Sequence, residues 1–221
     1  MIISRGRRYI FVHIPKTGGT ALALALEARA MKEDILIGDT PKARARRGRL
    51  KGVQAAGRLW KHSTLADIDG LVSVEDLAAL RVFTLVRNPW DRVVSYYHWL
   101  RGQGFAHPAV ALAKICDFSG FLNHPSTRIA LTASPYGSYV RDAAGVERCE
   151  LFLRLERLEE DLPRLGALLD LRLGPLARAN ASERGRDWRP YYSAADAEVL
   201  AEVAAEDIAR FGYRFDPEAL T

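Results

Sequence analysis

A chain of 221 residues, 48% of them hydrophobic, has room for one α/β domain with a substantial core, and a single domain over residues 1–221 is the simplest organisation. Lys and Arg number 32 against 27 Asp and Glu, and the net charge of +5 suits an anionic ligand but falls short of a nucleic-acid signature. Two cysteines, Cys116 and Cys149, exclude a disulfide framework, and neither has the C-x-x-C spacing or the nearby His that a metal site needs.

The first eight residues, Met-Ile-Ile-Ser-Arg-Gly-Arg-Arg, hold no apolar core of a signal peptide. No run reaches the roughly eighteen uncharged apolar residues of a membrane span, since Ala21 to Ala30 is broken by Glu27 and Arg29. A cytoplasmic protein with no membrane span is expected. The chain then enters Tyr9-Ile-Phe-Val-His-Ile-Pro-Lys-Thr-Gly-Gly-Thr20, an apolar strand that feeds a Lys/Gly/Thr turn and an Ala/Leu-rich helix. A strand ending in a small-residue loop at a helix start leaves backbone N–H groups unpaired, with the positive end of the helix dipole behind them. Gly18 and Gly19 let an anion approach the backbone, Lys16 brings a mobile positive charge, and Thr17 and Thr20 add hydroxyls. The loop suits an oxyanion. It is not the common triphosphate loop, G-x-x-x-x-G-K-[ST], because Lys16 precedes the glycines and no Gly stands where that pattern requires one before Pro15.

The segment His13-Ile-Pro-Lys-Thr-Gly-Gly-Thr20 resembles the first motif of sulfotransferases that use 3′-phosphoadenosine-5′-phosphosulfate (PAPS), in particular the carbohydrate-type, heparan-sulfate 2-O-sulfotransferase-like branch. Since animal members of that branch usually carry an N-terminal anchor, the resemblance points to a compact bacterial-type member. It implies a P-loop-NTPase-like fold, a central parallel sheet with helices on both faces. It also implies that Lys16, Thr17, Gly18, Gly19 and Thr20 hold the 5′-phosphosulfate, with 3′,5′-bisphosphoadenosine (PAP) as product and no metal.

Residues 42–51 carry Lys42, Arg44, Arg46, Arg47, Arg49 and Lys51 with almost no large apolar residue. They read first as a solvated surface loop and second as a basic lip for an anionic acceptor. A nucleic-acid partner is not expected, because Trp60 is the one aromatic nearby that could stack a base. In Gly57-Arg-Leu-Trp-Lys-His62-Ser-Thr-Leu-Ala-Asp-Ile68 a polar His-Ser-Thr cluster opens a short helix. Transfer to a hydroxyl needs a base near neutrality, and His62 is the candidate. The resembled branch has its catalytic His between the two phosphate motifs, where His62 lies. His13 either lines the site or serves the structure.

Arg81 to Val86 forms a second apolar strand, followed by Arg87-Asn-Pro-Trp-Asp-Arg-Val-Val-Ser-Tyr-Tyr97. Asn88 caps a helix, Pro89 suits its first position, and Asp91 favours its N-terminus. The junction resembles the sulfotransferase Arg-x-Pro-x-x-Arg-x-x-Ser motif, which implies that Arg87 and Ser95 bind the 3′-phosphate; Arg92 is a weaker candidate. Residues 102–148 read as helices and loops that specify no acceptor. Glu150 to Leu155 is a third strand, followed by a helix to about Leu169. Arg154 and Glu156 are secondary ligand candidates there. Asn180-Ala-Ser182 opens a polar stretch that resembles a loop closing over the cofactor in the family, which makes Ser182 and Arg184 candidate phosphate contacts. A last helix, capped by Ser193, ends near Phe211-Gly212.

Three strands alternating with helices imply a parallel sheet, with both motifs at strand carboxyl ends. The expected activity is sulfuryl transfer from PAPS to a hydroxyl of an unidentified acceptor, carbohydrate or small molecule, with Lys16 and His62 catalytic. A nucleoside or small-molecule kinase and a non-catalytic nucleotide-binding module are the alternatives. Acceptor identity and oligomeric state are open at this stage.

Overall fold

Apolar runs that are hydrophobic at every position become strands covered on both faces. In the computed structural model, which describes residues 1–174, 176, 185 and 187–216, the elements follow in the order β1 (Ile2–Ser4), β2 (Tyr9–Val12), α1 (Gly19–Ala28), β3 (Ile35–Leu36), α2 (Pro41–Arg46), α3 (Val74–Ala79) and β4 (Arg81–Val86). Next come α4 (Pro89–Arg101), α5 (Pro108–Ile115), α6 (Phe118–Asn123), α7 (Pro125–Thr132) and α8 (Tyr136–Tyr139). The chain ends with β5 (Cys149–Arg154), α9 (Leu158–Leu169), α10 (Ala194–Val203) and α11 (Ala205–Phe211). The fold comprises two compact units, residues 1–86 with 136–180, and residues 87–135 with 181–221.

The first unit holds an open mixed sheet in the order β3-β1-β2-β4-β5. Its three expected strands are parallel neighbours, β2 to β4 and β4 to β5. Two strands were not expected: β1 pairs antiparallel with both β2 and β3 and extends the sheet on the β2 side. Alternation along the strands sorts their side chains between two cores. Tyr9, Phe11, Phe83, Leu85, Leu151 and Leu153 meet Leu22 and Leu26 of α1 and Leu165 of α9. Ile10, Val12 and Val82 turn the other way, beneath Leu65, Ile68, Val72 and Leu77 of α3. Helices therefore cover both faces, and each fully buried Leu, Ile or Phe contributes about 1.5–3 kcal/mol.

Tyr9 pairs its ring with Phe83 at 5.6 Å between centroids, yet its buried hydroxyl has no hydrogen-bond partner among the described residues. Burial pushes the phenol pKa well above its ordinary value. Tyr9→Phe removes an unsatisfied polar atom without opening a cavity, and is expected to raise stability by about 1 kcal/mol in a urea titration.

Residues 42–51 are solvent-facing, as the charge run suggested, with only Ala43 buried, but they are helical rather than a loop. They form α2 and a 3₁₀ turn, Arg47–Leu50. Thr40 caps α2 by accepting the Ala43 amide at 3.1 Å, and Ala43 is buried in the first core. Three of the cations answer carbonyls at and just beyond the end of α1. Lys42 donates to the Glu27 carbonyl at 2.6 Å, Arg46 to Met31 at 2.8 Å and Arg49 to Asp34 at 3.2 Å. Lys and Arg side chains add bonds to carbonyls near a helix C-terminus, here beside the backbone amides of Ala30 and Asp34 that the Glu27 and Met31 carbonyls also accept.

The second unit packs around α4, which buries Trp90, Val93, Val94, Tyr97 and Leu100 at helical spacing. Phe118, Phe121 and Leu122 of α6 and Leu200 of α10 join them. Asn88 caps α4 as expected, accepting the Trp90 amide at 3.0 Å. Ser193 caps α10 in a reciprocal capping box with Asp196. The expected last helix is two, α10 and α11, meeting at Ala204, and Gly212 closes α11 in a left-handed conformation. His107 and His124 cap α5 and α7.

Candidate active site

The corner between β2 and α1 is built around two left-handed residues, Lys16 at φ 66° and Gly18 at φ 83°. A non-glycine residue there costs roughly 1 kcal/mol or more, so the loop holds its shape against local preference. Left-handed residues so close together bend the chain into the kind of concave edge that gathers backbone N–H groups. Gly18 is the N-cap of α1; no side chain caps the helix, and no acid lies in its first turn. A helix start without a side-chain cap or a first-turn acid suits an external anion.

Each member of the motif has its own task. Thr17 is fully buried and donates its hydroxyl hydrogen to the Ile14 carbonyl at 3.0 Å, so the hydroxyl braces the loop from within. Gly18 and Gly19 permit close packing as well as close approach. A Cβ on Gly18 would lie 2.8 Å from Leu155 Cδ1, and one on Gly19 would lie 2.6 Å from His13 Cδ2. Thr84 of β4 donates to the Val12 carbonyl at 2.7 Å, which ties the strand end beneath the loop to its neighbour. Lys16 and Thr20 are half-buried.

His62 lies beside this corner. Its Nδ1 is 2.7 Å from the His13 carbonyl oxygen, and their rings meet edge to face at 4.8 Å. A carbonyl can only accept, so Nδ1 carries the hydrogen and the neutral ring leaves a lone pair on Nε2. Burial lowers the His62 pKa to about 4, against the opposing pull of the His13 carbonyl. Burial likewise drives His13 well below the ordinary histidine value, helped by neighbouring positive charge and by His62. Both rings are neutral at pH 7. The supporting turn is tightly bonded: Ser63, fully buried, accepts the Trp60 amide at 2.9 Å, and Thr64 and Asp67 exchange bonds at 2.7 and 3.1 Å ahead of a 3₁₀ turn at Ala66–Ile68. Trp60, whose ring sits 5.0 Å from that of His62, is a neighbour that residue type alone did not single out.

In the second unit, Arg87 directly precedes the α4 cap. Its guanidinium donates to Asp91 Oδ2 at 2.7 Å from Nε, and NH2 lies 2.5 Å from the same oxygen. Asp91 thus orients the guanidinium fork in addition to favouring the helix start. Ser95, four residues beyond Asp91 and so on the same helix face, is buried. Ser182 and Arg184 lie outside the described residues. In the first unit, Arg154 engages the buried Asp161, which also accepts the Arg154 amide at 2.8 Å, giving it a bracing part between β5 and α9.

Among the described residues no helix is long and apolar enough to cross a membrane. No protein-family model and no curated protein matches the sequence. Among solved structures the chain is similar to mouse sulfotransferase SULT7A1 complexed with PAP, with a TM-score of 0.53 and 19% identity over 93% of this chain and 85% of that one. An open mixed sheet with helices around it, entered by a strand, a glycine-bearing corner and a helix, gives this chain the P-loop-NTPase-like α/β fold of a sulfotransferase.

Proposed function

We propose that the protein transfers a sulfuryl group from PAPS to a hydroxyl of a small acceptor, releasing PAP, and that it belongs with the PAPS-dependent sulfotransferases of the carbohydrate type. The observation that carries the reading is the start of α1 behind the left-handed Lys16 and Gly18, a corner with a lysine, no side-chain cap and no acid in the first helical turn.

PAPS supplies the sulfuryl group and a phosphate leaving group; this chain supplies the rest. Lys16 and the amides of Thr17, Gly18, Gly19 and Thr20 hold the 5′-phosphosulfate and meet the negative charge that grows on the leaving phosphate. His62 takes the acceptor proton at Nε2 while Nδ1–H stays bonded to the His13 carbonyl. Arg87, steadied by Asp91, and Ser95 bind the 3′-phosphate, and Ser182 and Arg184 add contacts to it. With a base as weak as His62, electrostatic stabilisation of the leaving group carries more of the rate than proton removal.

Labelled PAPS offered with a panel of sugars, phenols and alcohols tests the reading beside a magnesium-dependent ATP turnover assay. Sulfate transfer without ATP turnover is expected. ATP turnover with no transfer from PAPS would place the protein among kinases instead.

A further inference from the structure

The apolar look of α1 in the sequence hides a lined wall. Thr20, Ala23, Leu24 and Glu27, spaced so as to share one helix face, border a cavity of about 310 Å³ that His13 also lines. Thr20 belongs to the phosphate corner and Glu27 sits seven residues on, about 10 Å along the helix axis. The volume is at the small end of ligand pockets, the scale of a single sugar ring.

Its electrostatics are uneven. Glu27 is 5% exposed, and both carboxylate oxygens share one donor, the Thr40 hydroxyl, at 2.8 and 2.7 Å. A carboxylate accepts about four hydrogen bonds, and a buried one without a cation is costly. Among the described residues no ion pair reaches the Glu27 carboxylate, although Arg44 and Arg47 lie within electrostatic reach of Asp39 on the same wall. Lys42 donates to the Glu27 backbone carbonyl, and Lys61 pairs with Asp39 at 3.0 Å. The Met1 amine donates to the carbonyls of Ile37 and Lys61, and burial lowers its pKa to about 5, so it brings little charge at neutral pH.

We infer that this cavity is the acceptor site and that its occupant is a small amino alcohol, its ammonium on Glu27 and its hydroxyl at the Thr20 and His13 end. The cavity and the buried Glu27 carboxylate on its wall stand on the geometry; that the hydroxyl is sulfated rests on the proposed function. The reading turns away from the anionic acceptor suggested by the basic run, because the cavity wall itself carries two carboxylates, Glu27 and Asp39, and three of the run's six cations, Lys42, Arg46 and Arg49, bond backbone carbonyls.

Glucosamine, glucose and glucuronate present one ring as cation, neutral molecule and anion, and their titration into the protein at pH 7 by calorimetry, with and without PAP, tests the inference. Glucosamine is expected to bind at least about tenfold tighter than glucose, and glucuronate most weakly. Glu27→Gln, which keeps the shape and the Thr40 bond, should bring glucosamine within about twofold of glucose and leave PAP affinity unchanged. Leu24→Lys, at a 39% exposed position one turn before Glu27, supplies an internal cation and should abolish the same preference even if the Gln variant fails to fold. Equal affinity for glucosamine and glucose, or a preference that survives both substitutions, would overturn the inference. PAP binding without a glucosamine preference would overturn it and leave the sulfotransferase reading standing; a glucosamine preference without PAP binding would do the reverse.

Discussion

Lys16→Ala is expected to lower turnover by about 10²- to 10³-fold while weakening PAP binding less than about tenfold, because a charge aimed at a leaving phosphate matters most as that phosphate gains charge. The backbone makes the test clean. Ala suffers at the left-handed φ of 66° about as Lys does, so the loop loses a charge without gaining new strain. Lys16→Gly is the companion control: it relieves that strain and should melt at least as high as the parent while remaining as inactive as the alanine variant. Steady-state kinetics with PAPS, together with a PAP titration, separates the two effects. Equal losses in turnover and PAP affinity would make Lys16 an ordinary binding residue.

The second large effect belongs to His62. His62→Asn keeps a side-chain N–H within reach of the His13 carbonyl but removes Nε2, and is expected to cost about 10²- to 10⁴-fold in turnover. The pH dependence is equally diagnostic. With a pKa of about 4, His62 stays unprotonated through mildly acidic solution, so kcat/KM at pH 5.5 should remain within about twofold of its neutral value. A base with the ordinary value of 6.5 would lose about tenfold there. Stability follows the same proton. Between pH 6.5 and about 4 the unfolded chain binds protons that the folded His62 refuses, so the stability contribution is complete above 6.5 and is lost as the pH falls, by about 3 kcal/mol at most. Burial of His13 adds to the same slope. Thermal melts from pH 7.5 to 5 should show it, with a shallower slope in His62→Asn.

What the sequence revealed follows from which forces are local. β2 and β4 were legible because strands covered on both faces need near-continuous hydrophobic runs, and β5 because its apolar Leu151-Phe152-Leu153 centre alternates in burial as an edge strand's does; the turns after β2 and β4 carry the Gly, Asn and Pro that local geometry demands. β1 and β3 were not, since strands of three and two residues have no period to read and exist through pairing with each other and with β2. α2 and the turn after it were missed because Lys42, Arg46 and Arg49 bond carbonyls at and beyond the end of α1, a long-range fact invisible in a charge count. Residue type was enough to nominate His62, but its low pKa comes from burial, and the hydrogen on its Nδ1 from the carbonyl of His13 across 49 residues. Glu27 looked like an interruption in an apolar helix; packing set it on the wall of a cavity.

The account depends most on the anion cradle behind Lys16, and calorimetric titration of PAP into the folded protein tests it directly. Saturable binding at a single site, weakened by Arg87→Ala, is the predicted result. No heat of PAP association from protein shown to be folded would contradict it.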